Sequence, residues 1–248
     1  PLITNPIGVF KERKVLNEYL ELNKFIASQY EFARTLWYPS YQRFGHISHN
    51  HPAISSQDLF KSKKLDENVV SDMAVKYVIV PYDSQGEIFL SDRKYEEKGY
   101  QDTVASLQKL SWLSEIRGFG RIGVFEVGEP KDHFWCDCSA DINYKFINPT
   151  TYIVSIQSAK QGDVLVFSES FDPDWSARVL ASKGEYLQAQ KLENNLNGFM
   201  LAENGEYELL VFYKPQRWVN IGLVISFLTL VVTSTFLLFG FMGKKMVK

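Results

Sequence analysis

Cysteine is almost missing from this chain: Cys136 and Cys138 are the only two in 248 residues. Two cysteines cannot build a disulfide framework, so an apolar core must hold the fold. Neither sign of charge is in excess, with 27 Lys and Arg against 29 Asp and Glu, and no Lys/Arg stripe with interleaved aromatics appears. Nucleic acid is therefore not an expected partner. Fifteen glycines and nine prolines exclude collagen-like and low-complexity chains, and 45 % apolar residues exclude a disordered one. Familiar catalytic signatures are missing too. There is no G-x-S-x-G, no phosphate-binding glycine loop, no H-E-x-x-H and no LPxTG-type sorting signal, and Gly118-Phe119-Gly120 lacks the third glycine of a dinucleotide fingerprint.

A mean hydropathy of −0.18 describes an ordinary soluble protein, yet the average conceals an uneven distribution. From Trp218 to Gly243 run 26 residues without Asp, Glu, Lys, Arg or His. As a helix they reach roughly 39 Å, longer than the roughly 30 Å of a hydrocarbon core. Arg217 and Trp218 stand where a cation and an aromatic anchor belong, and Lys244 and Lys245 close the other end. The charge rule assigns this basic tail, 244–248, to the cytoplasm. With three lysines and no other charge after Arg217, residues 1–217 carry a formal −5 and are expected outside the membrane. The chain begins at Pro1 without a signal peptide. The expectation is thus the C-terminal piece of a longer, polytopic protein, whose upstream transmembrane helices are partners together with the lipid bilayer.

The expected fold class is α+β: a small α/β segment, then an antiparallel, jelly-roll-like β-sandwich, then one C-terminal transmembrane helix. Residues 1–66 read as an amphipathic helix (Ile7–Gln29) and an extended linker region with a short helix at Ser56–Lys61. In 67–130 a buried-strand run, Val75–Pro81, a short helix, Asp102–Leu110, and a second strand, Arg121–Val127, make the α/β unit. Across 136–216, six short strands alternate with turn-forming separators such as Asn148-Pro149, Gln161-Gly162-Asp163 and Asp172-Pro173-Asp174. The span follows at 218–243.

The string Val164-Leu165-Val166-Phe167-Ser168-Glu169-Ser170-Phe171-Asp172-Pro173-Asp174-Trp175-Ser176-Ala177 resembles a signature of YfhO-type bacterial membrane proteins and related GT-C-fold glycosyltransferases. In these, an LV(L/F)SE segment precedes a P-x-W-x-A turn. Asn197-Gly198-Phe199, then Gly205–Pro215, follow in the order that family shows. Upstream, Val75-Lys76-Tyr77-Val78-Ile79 and Arg121–Val127 are similar to its earlier strands. Asp174 replaces the usual glycine before Trp175, and Val179-Leu180-Ala181 replaces a V-D-G. The resemblance spans about residues 70 to 243. It implies a cell-envelope glycosyltransferase using a polyprenyl-phosphate sugar, in the bacterial cell membrane, with its catalytic carboxylate in an early loop outside this chain. These residues would then form an accessory or acceptor-facing domain without a complete active site, meeting envelope glycans or polyprenyl-linked sugars. The alternative is a non-enzymatic, single-span module that binds carbohydrate or protein.

Glu169, Asp172 and Asp174 beside Trp175 are the candidate sugar-binding group, acids flanking a ring that can stack on a pyranose. His46, His49 and His51 are the candidate ligands for a divalent metal, since neutral imidazoles at this spacing can share Zn²⁺; no other cofactor is expected. On a strand, Cys136 and Cys138 would lie about 6–7 Å apart at Cα and point badly for a bond, so reduced thiols are expected, the alternative being a C-x-C bridge formed in a turn.

Overall fold

The computed structural model describes residues 17–39, 48–55, 65–82, 97–181 and 186–245. It divides the chain into two compact units: Pro1–Trp135 with Val166–Ser170 and Leu192–Leu196, and Cys136–Leu165 with Phe171–Lys191 and Asn197–Lys248.

The first unit is built on β1 (Arg34–Trp37), β2 (Ala53–Ser55), β3 (Val75–Val80), β4 (Leu113–Ile116) and β5 (Gly123–Val127), in the sheet order β2-β1-β3-β5-β4. β1 runs parallel to both β2 and β3, whereas β5 runs antiparallel to β3 and β4. All four residues of β1 are buried, as are five of the six in β3, the unbroken pattern of parallel strands covered on both faces. Helix α1 (Asn17–Ala27) supplies one cover. Its buried residues Tyr19, Leu22 and Ile26 repeat at helical spacing and join Trp37, Tyr77, Ile79 and Val124 in one apolar cluster. Each side chain so buried contributes about 1.5–3 kcal/mol. Where α1 passes Gly120, whose φ is +59°, a Cβ would lie 2.4 Å from Glu18 Cγ; glycine here allows both the left-handed turn and the close approach.

Helix α2 (Glu67–Asp72) starts at Asp66, whose side chain accepts the Val69 amide. Helix α3 (Glu97–Leu107) begins five residues before the expected start, because its first turn, Glu97-Lys98-Gly99, carries no apolar periodicity. β4 escapes a sequence reading for a related reason, since its Ser114 and Glu115 are exposed on the sheet edge. Part of the expected Ile7–Gln29 helix, and the one at Ser56–Lys61, fall outside the described residues. The unit is completed by β6 (Phe134–Trp135) pairing with β9 (Val164–Ser170), where Phe134 and Phe167 stack at 4.5 Å. Asn194 also belongs here, its amide donating to Asp72 Oδ2 at 3.0 Å.

The second unit carries β7 (Asp141–Asn148), β8 (Thr151–Ala159), β10 (Trp175–Val179), β11 (Leu187–Gln188) and β14 (Gly205–Tyr213), ordered β11-β10-β14-β8-β7 and antiparallel throughout. β8 shows the period-2 pattern of a half-covered strand: Tyr152, Val154 and Ile156 are buried and their neighbours are not. Asn148 turns the β7–β8 hairpin by accepting the Thr150 amide and hydroxyl. A four-stranded sheet takes β12 (Gln190–Lys191), β13 (Leu196–Met200), β9 and β6 in the order β12-β13-β9-β6. The fold is thus α+β with a β-sandwich and one terminal apolar helix, as expected.

That helix, α4 (Gln216–Lys245), leaves β14 after only Lys214-Pro215. Its described part, Gln216–Thr235, is long and apolar enough to cross a membrane, and none of it is buried in protein. A core helix of a soluble domain would be covered; this one offers Leu223, Phe227 and Leu230 at more than 60 % exposure. Such a surface associates with lipid.

Candidate functional site

The acids and the tryptophan singled out in 169–175 fall in different compact units. Glu169 belongs to the first unit, and Asp172, Asp174 and Trp175 belong to the second. The indole of Trp175 is only 8 % exposed and packs against Tyr152 and Tyr213, at ring distances of 6.3 and 5.2 Å. It has no free face for a sugar ring. Asp172 is consumed by its own turn: Oδ1 accepts the Asp174 amide at 2.9 Å and Oδ2 accepts the Tyr213 hydroxyl at 2.9 Å. The Asp172 amide donates to Asn197 Oδ1, and Lys214 donates its amide to the Asp174 carbonyl. The bond to the Asp172 carboxylate pushes the Tyr213 phenol pKa up. These contacts tie the turn to the last residues of β14, where α4 begins. In this chain the motif buttresses the junction between the sheet and the apolar helix α4.

Glu169 instead answers a buried cation. Arg34 is 2 % exposed, with Nη1 donating to the carbonyls of Met73 and Ser168, each at 2.6 Å, and Nη2 to Glu169 Oε1 at 2.7 Å. Beside it, His133 Nδ1 lies 3.0 Å from Ser168 Oγ, while Nε2 is 3.8 Å from Glu169 Oε1. Ser, His and acid thus stand in the order of a hydrolytic triad, which the sequence conceals because 35 residues separate His133 from Ser168. Access and charge both oppose such chemistry. Ser168 and His133 are 0 % and 1 % exposed, and the Phe32 ring covers the imidazole at 4.0 Å. Burial, and then the Arg34 charge, hold the His133 pKa well below 6.5. A triad needs the opposite environment, one that welcomes the imidazolium as the serine proton arrives.

The histidine group also separates. His46 lies outside the described residues and His49 is exposed, whereas His51 is 4 % exposed with Nδ1 at 3.0 Å from Ser48 Oγ and Nε2 at 3.1 Å from the Gln29 carbonyl. Both His51 nitrogens are engaged, so it is not poised to share an ion with His49. Among the described residues, the group with donor atoms close enough for a metal is Cys136, Cys138 and Asp163. The cysteines are joined in a disulfide rather than held as thiols. A bend at 137–139 brings the Cα atoms to 5.1 Å, near the middle of the bonding range and closer than a strand would hold them.

Of the membrane anchors, Trp218 is 72 % exposed and Arg217 is exposed beside it in the first turn of α4. Lys244 and Lys245 lie in its last turn, with side chains outside the described set. One face of α4 carries Gly222, Ser226, Thr229 and Thr233, and Thr229 and Thr233 donate their hydroxyls to the carbonyls of Ile225 and Thr229. With Ile225, Leu228 and Val232 these threonines line a shallow groove along the helix. Compared with family models, curated proteins and solved structures, the chain matches none.

Proposed function

We propose that this chain is the extracytoplasmic domain and last membrane helix of a polytopic bacterial protein resembling polyprenyl-phosphate-sugar-dependent glycosyltransferases, in which it serves as an accessory, acceptor-facing domain. The observation that carries this reading is α4, an apolar helix that leaves a rigidly buttressed sheet and is uncovered on every face. Its row of small residues, Gly222, Ser226, Thr229 and Thr233, is the kind of surface against which neighbouring membrane helices pack closely. The Cys136–Cys138 bond supports an oxidising, extracytoplasmic side for residues 1–217. The burial of Ser168, His133 and Trp175 supports an accessory role, because among the described residues these are groups suited to hydrolysis or to sugar stacking.

The test is made on the parent protein in lipid vesicles, with a radiolabelled polyprenyl-phosphate sugar and a cell-envelope acceptor. Transfer that survives weakly when 1–217 is deleted, with a raised acceptor KM, supports the proposal. A parent chain whose only span is α4, or one with full transfer after the deletion, refutes it; the first result favours the single-span binding module.

A further inference from the structure

Asp163 is held in place by its backbone on both sides. Leu201 donates its amide to the Asp163 carbonyl at 2.8 Å, and the Asp163 amide donates to the Lys160 carbonyl at 3.0 Å. The carboxylate is aimed as well, with Oδ2 accepting the Lys160 amide at 3.1 Å. Gly162, at φ +95°, closes this turn in a conformation other residues rarely adopt. One carboxylate oxygen of Asp163 and the two sulfurs of Cys136 and Cys138 all lie within 4.8 Å of one another, each residue half-buried and reachable from solvent. A tetrahedral Zn²⁺ with Zn–S near 2.3 Å and Zn–O near 2.1 Å requires ligand-to-ligand separations of about 3.5–3.8 Å, which fit inside that envelope.

The bond itself closes a loop of only two residues' separation, and the stabilisation from cross-linking an unfolded chain is smallest for the shortest loops. A structural staple is therefore a poor account of it. Thiol exchange with a partner protein does not account for a carboxylate oxygen held within 4.8 Å of both sulfurs. As a third ligand, the same carboxylate is an asset.

We infer that Cys136, Cys138 and Asp163 form a redox-gated site for a thiolate-binding divalent cation of the Zn²⁺ class, closed while the disulfide is intact and opened by its reduction. In the opening step a dithiol donor supplies two electrons and two protons. The Sγ–Sγ bond breaks, two Cys thiols form, and the donor leaves as its own disulfide. Zn²⁺ then displaces the two thiol protons to solvent, forming two Zn–S bonds and one Zn–O bond to Asp163, and leaves a fourth position to water. The site lies wholly within the second unit and is independent of any transferase role.

The test uses the full chain in detergent micelles, as isolated and after reduction with a phosphine that is then removed without air. Zn²⁺ is titrated against a chromogenic chelator, and Cd²⁺ reports thiolate ligation by its ultraviolet charge-transfer band. The reduced chain is expected to hold one ion with the thiolate band, and the oxidised chain none. Asp163→Asn is expected to weaken the reduced form by at least about tenfold, since loss of even an outer-shell partner costs 10- to 100-fold. Should a Cys136→Ser chain fail to fold, the oxidised wild type is the thiol-free control. Equal competition by the chelator in both redox states overturns the inference. So does unchanged affinity in Asp163→Asn, or one ion shared between two chains.

Discussion

Replacing Arg34 separates the energetics of a buried ion pair from those of buried carbonyls. The guanidinium donates to the carbonyls of Met73 and Ser168 and to the Glu169 carboxylate. Arg34→Ala removes the guanidinium donor from both carbonyls, at about 1–3 kcal/mol each. Glu169 is 39 % exposed, so water can rehydrate its carboxylate once the partner is gone. The expected cost of Arg34→Ala is about 4 kcal/mol, within the range for one-sided removal of a buried pair. Glu169→Ala leaves the buried guanidinium without its counter-charge but still bonded to both carbonyls, and should cost less, about 2–3 kcal/mol. Arg34→Lys should fall between them, as an ammonium is a point donor and cannot replace the fork. Because the chain has two compact units, one global unfolding curve is not the right observable. Native-state amide exchange at Tyr77 and Val78, measured on the full chain, reads the first unit directly. Four kcal/mol corresponds to opening raised by about three powers of ten. If Glu169→Ala opens this sheet as much as Arg34→Ala does, the ion pair carries the stability and the reasoning is refuted.

Three other outcomes are expected. His133 is neutral in the fold and its pKa is depressed, so the first unit keeps full stability above about pH 6.5, where the unfolded imidazole is also neutral. It loses up to about 1.4 kcal/mol per unit as pH falls below that, because only the unfolded chain binds the proton readily; amide exchange from pH 7 to 5 that is flatter in His133→Asn checks this. Trp175→Ala should cost about 3–5 kcal/mol as a core truncation, while Trp175→Phe should leave any glycan-array signal intact, and a signal lost in folded Trp175→Phe would restore a stacking role. Leu228→Arg, midway along the uncovered helix, should add about 3–4 kcal/mol to insertion and release much of the chain on carbonate extraction; unchanged retention would mean that α4 is covered by protein.

What could be seen in the sequence was whatever a single segment encodes. The membrane helix announces itself in 26 uncharged residues, and β8 in the alternation of Tyr152, Val154 and Ile156. Sites are harder, because their residues meet through the sheet. Arg34 sits in a four-residue strand and meets a glutamate 135 positions later, and no local pattern marks a charged residue as core. Asp172 misled for the reverse reason: turns and binding sites draw on the same acids, and only its hydrogen bonds with the Asp174 amide and the Tyr213 hydroxyl tell which use is made of it. Cys136 and Cys138 were read on a strand, where the bond is awkward, and they sit at a bend, where it is not.

β14 is the last strand in the chain but the middle strand of its sheet, between β10 and β8. During synthesis both of those neighbours therefore wait with one edge bare until residues 205–213 emerge. Only Lys214 and Pro215 then separate the closing strand from the apolar helix. Closure of the sheet and emergence of the apolar helix α4 are thus close to a single event in the life of the nascent chain. Any delay at that step leaves two open strand edges exposed to other chains.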